Sequence, residues 1–288
     1  MLSFSTLEHM SREQLILAFN RAFADYCVPV RLNMPGLSQK MTLENLKLSF
    51  SVGVFDGPKL VGLMLHGLGE WMGRTAAYNG GTGIWPEYRG QGLVGRMYEH
   101  LQPVLAHSGA RSVILEVIDT NERAIHAYQR VGFRPARQLD CFKGTLNYPQ
   151  PKSPPDITVH HHNRLPWEEL PRFWAFLPTW QHSLDAARRG LDFLDYLSLT
   201  REGQLLAYGV LQRRTGRVIQ FGVHPSWRSQ GLGRLLFFHL SRLGNPLLTV
   251  LNVDHSDQAT RAFLRKAGLE RYLGQWEMVW EMEPLTNK

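Results

Sequence analysis

The strongest constraint on this 288-residue chain is that it carries one pattern twice. Gly83-Ile84-Trp85-Pro86 precedes Arg89-Gly90-Gln91-Gly92-Leu93-Val94-Gly95 in the first half. In the second half, Gly222-Val223-His224-Pro225 precedes Arg228-Ser229-Gln230-Gly231-Leu232-Gly233, and both segments are offset by 139 residues. Further on, Leu115-Glu116-Val117 corresponds to Leu251-Asn252-Val253 and Gly132-Phe133 to Gly268-Leu269, both at an offset of 136. Order and spacing persist, so the chain reads as the duplication of one fold.

The natural division falls at Pro149-Gln150-Pro151-Lys152-Ser153-Pro154-Pro155, where four prolines in seven residues suit neither a helix nor a central strand. The expectation is an N-terminal domain over 1–148, a stiff linker over 149–155 and a C-terminal domain over 156–288. Each half is long enough for a core of its own, and a composition of 43% hydrophobic and 20% charged residues is ordinary for globular domains. Cys27 and Cys141 make no disulfide framework, which favours a reducing compartment. The first residues lack the basic start and apolar run of a signal peptide. No window approaches the roughly 18 apolar residues of a membrane span. A cytoplasmic protein with no membrane partner is expected. The net charge of +7 favours anionic partners, including a phosphate-rich cofactor. Its basic residues are scattered, so nucleic acid is not the expected partner.

Each half has the same coarse layout. In the first, Ser11 to Tyr26 has helical spacing, and Phe50–Phe55 and Leu60–Leu68 bracket the turn Asp56-Gly57-Pro58. A strand ends at Pro86, and the glycine-rich loop opens a helix from Gly92 to Ala106. The strand Ser112–Ile118 and the helix Glu122–Val131 follow, the helix stopping at Gly132. Strands around Gln138–Leu146 are expected to close the first sheet, and the second half repeats the order from Ile157 to Met282.

A strand running into a glycine-rich turn and a helix start is an anion site, because unpaired backbone N–H groups and the helix dipole both favour phosphate. A tight turn without a ligand is the alternative. No Gly-Lys-Ser/Thr follows, so it is not a Walker loop, and its position does not suit a dinucleotide fingerprint.

At these residues the chain resembles the GNAT acetyltransferases, whose pyrophosphate loop reads Gln/Arg-x-x-Gly-x-Gly/Ala. The second half fits in full at Arg228, Gly231 and Gly233, while Val94 stands at the last position in the first half. The family's second signature follows as Leu115-Glu116-Val117, then Asn121, Ala124, Tyr128 and Gly132-Phe133. The resemblance implies an α/β (α+β) protein of two tandem GNAT folds, each a mixed, mostly antiparallel central sheet flanked by helices. It implies acetyl-CoA as cofactor, held by Ile84, Trp85, Arg89, Gly90, Gln91, Gly92, Leu93, Val94, Gly95, Asn121 and Tyr128. A possible second cofactor site comprises Val223, Arg228, Ser229, Gln230, Gly231, Leu232 and Gly233.

Acetyl transfer to an amine needs the ammonium deprotonated and the leaving thiolate protonated or stabilised. By the same resemblance Glu116 takes the place of the base and Tyr128 that of the acid. For Glu116 the alternative is a scaffold role, and for Tyr128 a packed aromatic. The second half loses these groups: at offset 136, Glu116 becomes Asn252, Asn121 becomes Asp257 and Tyr128 becomes Leu264. The expectation is therefore one active copy and one degenerate copy. The acceptor would be a small-molecule or peptide amine.

Other features weigh less. His160-His161-His162 cannot converge on one ion from a strand, and no metal is expected. Asp25 or Tyr26 could contact an amine, or simply end a helix. Trp167, Trp174 and Trp180 read as core and inter-domain packing, with an aromatic acceptor cleft as the alternative. A non-catalytic tandem acyl-CoA-binding protein is the competing function.

Overall fold

The structure, a computed structural model, describes residues 1–162 and 165–282. The first half contains β1 (Leu2–Thr6), α1 (Arg12–Ala22), α2 (Met34–Glu44), β2 (Val52–Asp56), β3 (Lys59–Trp71), β4 (Arg74–Ile84), α3 (Leu93–His107), β5 (Ser112–Ile118) and α4 (Glu122–Val131). The chain continues through β6 (Arg134–Gly144), β7 (Thr158–His162), α5 (Leu184–Arg189), β8 (Asp195–Arg201), β9 (Gln204–Gln212) and β10 (Arg217–Val223). It ends with α6 (Leu232–Arg242), β11 (Leu248–Asp254), α7 (Gln258–Lys266) and β12 (Glu270–Glu281). Among the described residues no helix is long and apolar enough to cross a membrane.

Two compact units result. Unit 1 is Met1–Ala136 together with the chain from Trp276, and unit 2 is Arg137–Gln275. This differs from the division into 1–148 and 156–288 read from the sequence, because each half gives its last strand to the other unit. From Arg137 onward β6 belongs to unit 2, where it pairs antiparallel with β11 between Leu248↔Gly144 and Asp254↔Leu139. It does not close the sheet of its own half. Phe142 is buried in the core of unit 2, whereas Met278 and Met282 of the β12 end are buried in the core of unit 1. Apolar side chains settle the matter, since a strand lies where its buried face is covered. The proline-rich segment accordingly lies inside unit 2. There Tyr148 donates to the Arg234 carbonyl at 3.1 Å while the Arg234 guanidinium sits 4.4 Å over its ring, which anchors the start of the segment to α6.

The sheet of unit 1 runs β1-β2-β3-β4-β5-β12. Neighbours from β1 to β4 are antiparallel, and β4 and β5 are parallel. Side chains alternate between its faces. Leu63 and Leu65 meet Leu15, Phe19 and Leu37 of α1 and α2, while Met64, Val113 and Leu115 meet Met97 and Leu101 of α3 and Tyr128 of α4. Local signals fix the helix ends. Ser11 and Gln14 form a reciprocal capping box on α1, Asn121 caps α4, and Gly132 ends α4 at φ 118.

Unit 2 runs β6-β11-β10-β9-β8-β7, with β10 and β11 its parallel pair. Leu235, Leu236 and Leu240 of α6 and Leu264 of α7 cover Leu197, Leu211 and Val250. A charged knot ties its strands. Asp140, fully buried on β6, meets Arg261 at 2.7 Å, Arg271 at 2.5 Å and His255 at 3.0 Å. Burial pushes the Asp140 carboxyl up, but the Arg271 hydrogen bond and the charges of Arg271, Arg261 and His255 outweigh it and hold the group below its ordinary value.

Because the folded-state pKa is lowered, the stabilisation is present above the unfolded value of about 4 and is lost as pH falls through the folded value. Asp140→Ala should cost about 3 kcal/mol at pH 7 by leaving two guanidinium groups without their carboxylate. In urea unfolding, the advantage of wild type over Asp140→Asn should shrink once the pH drops below about 4. A difference that stays constant with pH would show that the knot contributes no charge stabilisation.

Candidate active site

The site of unit 1 begins where two strands part. The parallel ladder between β4 and β5 covers only Ala76↔Ser112, Ala77↔Val113 and Tyr78↔Ile114, although both strands continue. The cause lies in Asn79-Gly80-Gly81. The β3–β4 register slips between Leu65 and His66, leaving Gly80 as an extra residue, a β-bulge. A side chain at Gly80 would come within 2.4 Å of Glu44, itself buried and paired with Lys40 at 2.7 Å. Only glycine admits that approach.

A polar network fills the α3/α4 side of the gap. Asn79 Nδ2 donates to the Tyr98 hydroxyl at 2.8 Å and to Thr82 Oγ1 at 2.8 Å, and Asn79 Oδ1 accepts from the Gly81 N–H at 2.9 Å. The Tyr128 hydroxyl is in hydrogen-bond contact with Thr82 and Asn79. Burial raises the Tyr128 pKa to about 12; the Thr82 and Asn79 hydrogen bonds lower it less, and the neighbouring Tyr26 adds to the rise. Tyr128 is therefore a protonated donor throughout the physiological range. His66 lies edge-on to Tyr98 at 5.6 Å, and burial lowers its pKa to about 3, so it is neutral. Tyr98, Asn79 and Thr82 escaped the sequence reading; the paired glycines at 80 and 81 were the available sign of a bulge.

Glu116 lies on the opposite face. Val113, Leu115 and Val117 pack with Tyr128, so alternation turns Glu116 towards the α1/α2 side. There the Tyr78 hydroxyl donates to Glu116 Oε2 at 2.5 Å, a short charge-assisted bond. The structure thus places the two expected catalytic residues on either side of the gap. It also adds Tyr78, which the sequence reading did not single out.

The loop leads into α3. Gly90 and Gly92 adopt φ +78 and +67, conformations that side chains disfavour, and a Cβ at Gly90, Gly92 or Gly95 would meet nothing within 4 Å. The open backbone of the first helical turn fits a pyrophosphate. Gln91 is exposed, whereas Leu93 is buried and Val94 packs against the core of unit 1, turned inward from the loop.

Arg89 does not reach outward as a phosphate ligand. Its guanidinium bonds Asp25 at 2.6 and 2.8 Å, the Ile84 carbonyl at 3.0 Å and the Ala22 carbonyl at 2.9 Å. Asp25, its pKa lowered first by the Arg89 hydrogen bond, is committed to this pair. Trp85 donates from Nε1 to the Ala18 carbonyl at 3.2 Å. Arg89 and Trp85 thus brace the end of β4 against the end of α1. Asn121 spends Oδ1 on capping Ala124 at 3.2 Å and bonds Tyr26 as well, which brings Tyr26 beside Tyr128.

Unit 2 repeats the frame. Arg228 bonds the carbonyls of Val223 at 3.1 Å and Phe173 at 3.0 Å, and Ser229 takes the left-handed conformation of Gly90 at φ 61. Gln230 and Gly231 are exposed, Leu232 is buried, and Gly233 packs against the Phe263 ring. A cavity of about 390 Å³ opens beside this loop. Trp174 lines it, while Trp167 and Trp180 are buried in unit 2. His160 and His162 share one face of β7 and bond Thr200 and Ser198 at 2.9 and 2.6 Å. Among the described residues no His, Cys, Asp or Glu cluster is placed to hold a metal ion.

The acetyltransferase (GNAT) family profile matches residues 17–133 and 160–269. Thialysine N-epsilon-acetyltransferase of Bos taurus is 30% identical over 93 residues, 31% of this chain and 54% of that protein. N-alpha-acetyltransferase 30 of Schizosaccharomyces pombe is 31% identical over 85 residues, 29% of this chain and 57% of that protein. The chain thus spans little more than half the length of these relatives. A tandem GNAT protein from the clavulanic acid biosynthesis pathway superposes with a TM-score of 0.72 at 16% identity, covering 99% of this chain and 100% of that one. A GCN5-related N-acetyltransferase from Sphaerobacter thermophilus gives a TM-score of 0.72 at 16% identity, covering 100% and 98%. Both share the fold along the whole chain.

If Arg89 is a brace, Arg89→Met should release residues 23–30, read as faster amide hydrogen exchange there with the remainder of unit 1 unchanged. Arg89→Lys should rescue poorly, because an ammonium cannot replace the two-pronged bond to Asp25. Unaltered exchange in both variants would remove the bracing role.

Proposed function

Because the chain belongs to the acetyltransferase (GNAT) family, we propose that unit 1 moves an acetyl group from acetyl-CoA to a primary amine by direct attack. The observation that carries this reading is the Tyr128 hydroxyl, kept protonated by burial and held by Thr82 and Asn79 at a gap between two strands. Bound acetyl-CoA supplies the acetyl group as a thioester and its sulfur as the leaving group.

The backbone of Gly90–Gly95 seats the pyrophosphate on the α3 side. Tyr128, on that same side, gives a proton to the departing sulfur as the C–S bond breaks. From the α1/α2 face, Glu116 accepts a proton from the ammonium, freeing the nitrogen lone pair to form the new C–N bond, and the second proton that the nitrogen sheds returns through solvent to Tyr128. Tyr78 steadies the Glu116 carboxylate through its 2.5 Å bond. Placing acid and base on opposite faces lets one group serve the entering nitrogen and the other the leaving sulfur. Tyr26, beside Asn121 and Tyr128, stands at the cleft as a contact for the acceptor. The relatives named for thialysine and for protein N-termini make a thioether amine and peptide α-amines the first acceptors to try.

The competing reading, a tandem acyl-CoA-binding protein without turnover, is favoured by the cavity of unit 2, whose walls carry neither a tyrosine nor a glutamate.

With a panel of amines, Tyr128→Phe should lower kcat by about 100-fold or more, the usual scale of general acid catalysis, while calorimetry shows acetyl-CoA still bound. Glu116→Gln should lower kcat/KM and abolish the acidic limb of the pH profile. Gly95→Glu adds a carboxylate in open space on the first turn of α3 and should weaken acetyl-CoA at unit 1 at least tenfold. Turnover indifferent to Tyr128→Phe would end the proposed mechanism; binding with no turnover on any amine would favour the competing reading.

A further inference from the structure

The cavity of unit 2 passes through the sheet. Its lining includes all six residues 218–223 of β10, and successive residues of a strand face opposite sides. It therefore lies between β10 and β11, which pair only at Arg217↔Thr249 and Val218↔Val250. Arg228, Ser229 and Gly233 of the glycine loop line it, as does the aromatic segment 173–176, whose Phe173 carbonyl accepts from Arg228.

The polar network of unit 1 is not repeated at the equivalent positions here. At the offsets of the repeat, Asn79 becomes Val218, Thr82 becomes Phe221, Tyr98 becomes Phe237 and Tyr128 becomes Leu264. All four hydrogen-bonding members are replaced by hydrocarbon. Val218 and Phe221 line the cavity, as do Phe173, Phe176 and Phe263. A gap that holds a polar network in unit 1 is in unit 2 a passage of about 390 Å³ with mainly aromatic and aliphatic walls, in which His182, Gln220 and Asn252 are hydrogen-bonded to other residues of the unit. One polar atom in its wall is left over. Asp257 caps α7 through Oδ1 at 3.2 Å from the Thr260 nitrogen, while its buried Oδ2 has no partner. A buried carboxylate oxygen without a donor is costly, and an amide N–H entering the cavity would satisfy it.

We propose that the unit 2 cleft is a receptor for a CoA thioester with a bulky apolar acyl group, medium-chain or aromatic, and holds it without transfer. The inference rests on the reading that these glycine loops seat the pyrophosphate of CoA. The loop takes the pyrophosphate, Asp257 Oδ2 accepts an amide N–H of the pantetheine arm, and the acyl group lies in the cavity against Phe173, Trp174 and Phe176. Without a hydroxyl in place of Tyr128 the thiolate has no proton source in this network, so the thioester stays intact.

The test is calorimetry on the full chain carrying Gly95→Glu, which silences the loop of unit 1. CoA, acetyl-CoA, octanoyl-CoA and free octanoate are compared. Octanoyl-CoA should bind at least tenfold more tightly than acetyl-CoA. Ala175→Trp, at the exposed rim, and Phe176→Asp should each erase that gain while leaving acetyl-CoA affinity in place. Asp257→Asn, which keeps the helix cap, should weaken every thioester about fivefold. Equal affinities for CoA, acetyl-CoA and octanoyl-CoA would overturn the acyl preference and leave the cofactor reading standing. No binding by any CoA species would overturn the cofactor reading for this unit. Octanoate binding as tightly as octanoyl-CoA would overturn the thioester, and octanoyl transfer to an amine would overturn the absence of chemistry.

Discussion

Everything at the site depends on two parallel strands that stop pairing. Once β4 and β5 separate after Tyr78↔Ile114, a gap is left in a sheet that would otherwise be closed. Its position is set by one extra residue, Gly80, held against the buried Glu44–Lys40 pair. A bulge bends its strand and redirects the side chains that follow. Asn79 turns towards α3 and Tyr78 towards the opposite face. The same distortion thus opens the gap and lines both its sides. Unit 2 reaches the same end with a register slip between Val218 and Gln220 in β10.

With the frame shared, the side chains at the gap decide what each unit does, as expected when function is grafted on a fold. In unit 1 three hydroxyl groups and one carboxamide share hydrogen bonds across β4, α3 and α4. Each would be costly to bury alone, and together they are satisfied. Removing one member strands the others, so the network is retained whole or replaced whole. Unit 2 shows the second case, with four apolar residues at the corresponding positions.

Local features were legible in the sequence. The helix Glu122–Val131 and the strand Ser112–Ile118 emerge with their expected bounds, because Asn121 and Gly132 are cap residues and the strand is a short apolar run. The glycine-rich turn that opens α3 was likewise legible. The helix α2 was not, since Asn33-Met34-Pro35-Gly36 has the composition of a turn, yet Asn33 caps and the proline sits in the first helical turn. The exchange of β6 and β12 was hidden for a different reason. Strand pairing is non-local, and the run Leu139–Phe142 of β6 says that the strand is buried but not which sheet will bury it. Arg89 matched a loop motif by type and position, while its bonding partners at Ala22 and Asp25 lie more than sixty residues away. The network around Tyr128 draws single residues from three elements, and no spacing rule joins them.

The two functions of the cleft therefore differ in how they respond to substitution. The loop acts through backbone N–H groups at a helix start, and its demand on sequence is conformational. Ser229 meets that demand at φ 61 where unit 1 has Gly90, at a cost of about 1–2 kcal/mol. Nothing else about the side chain is required. Proton transfer, by contrast, needs a hydroxyl at one atom, with a raised pKa and partners that hold it. Under the proposed mechanism, a single exchange of Tyr128 for leucine, as at Leu264, would end it. A duplicated chain can thus keep a loop geometry suited to a phosphate in both copies while keeping the proposed chemistry in one, because the first is written into backbone angles and the second into side chains that work only together.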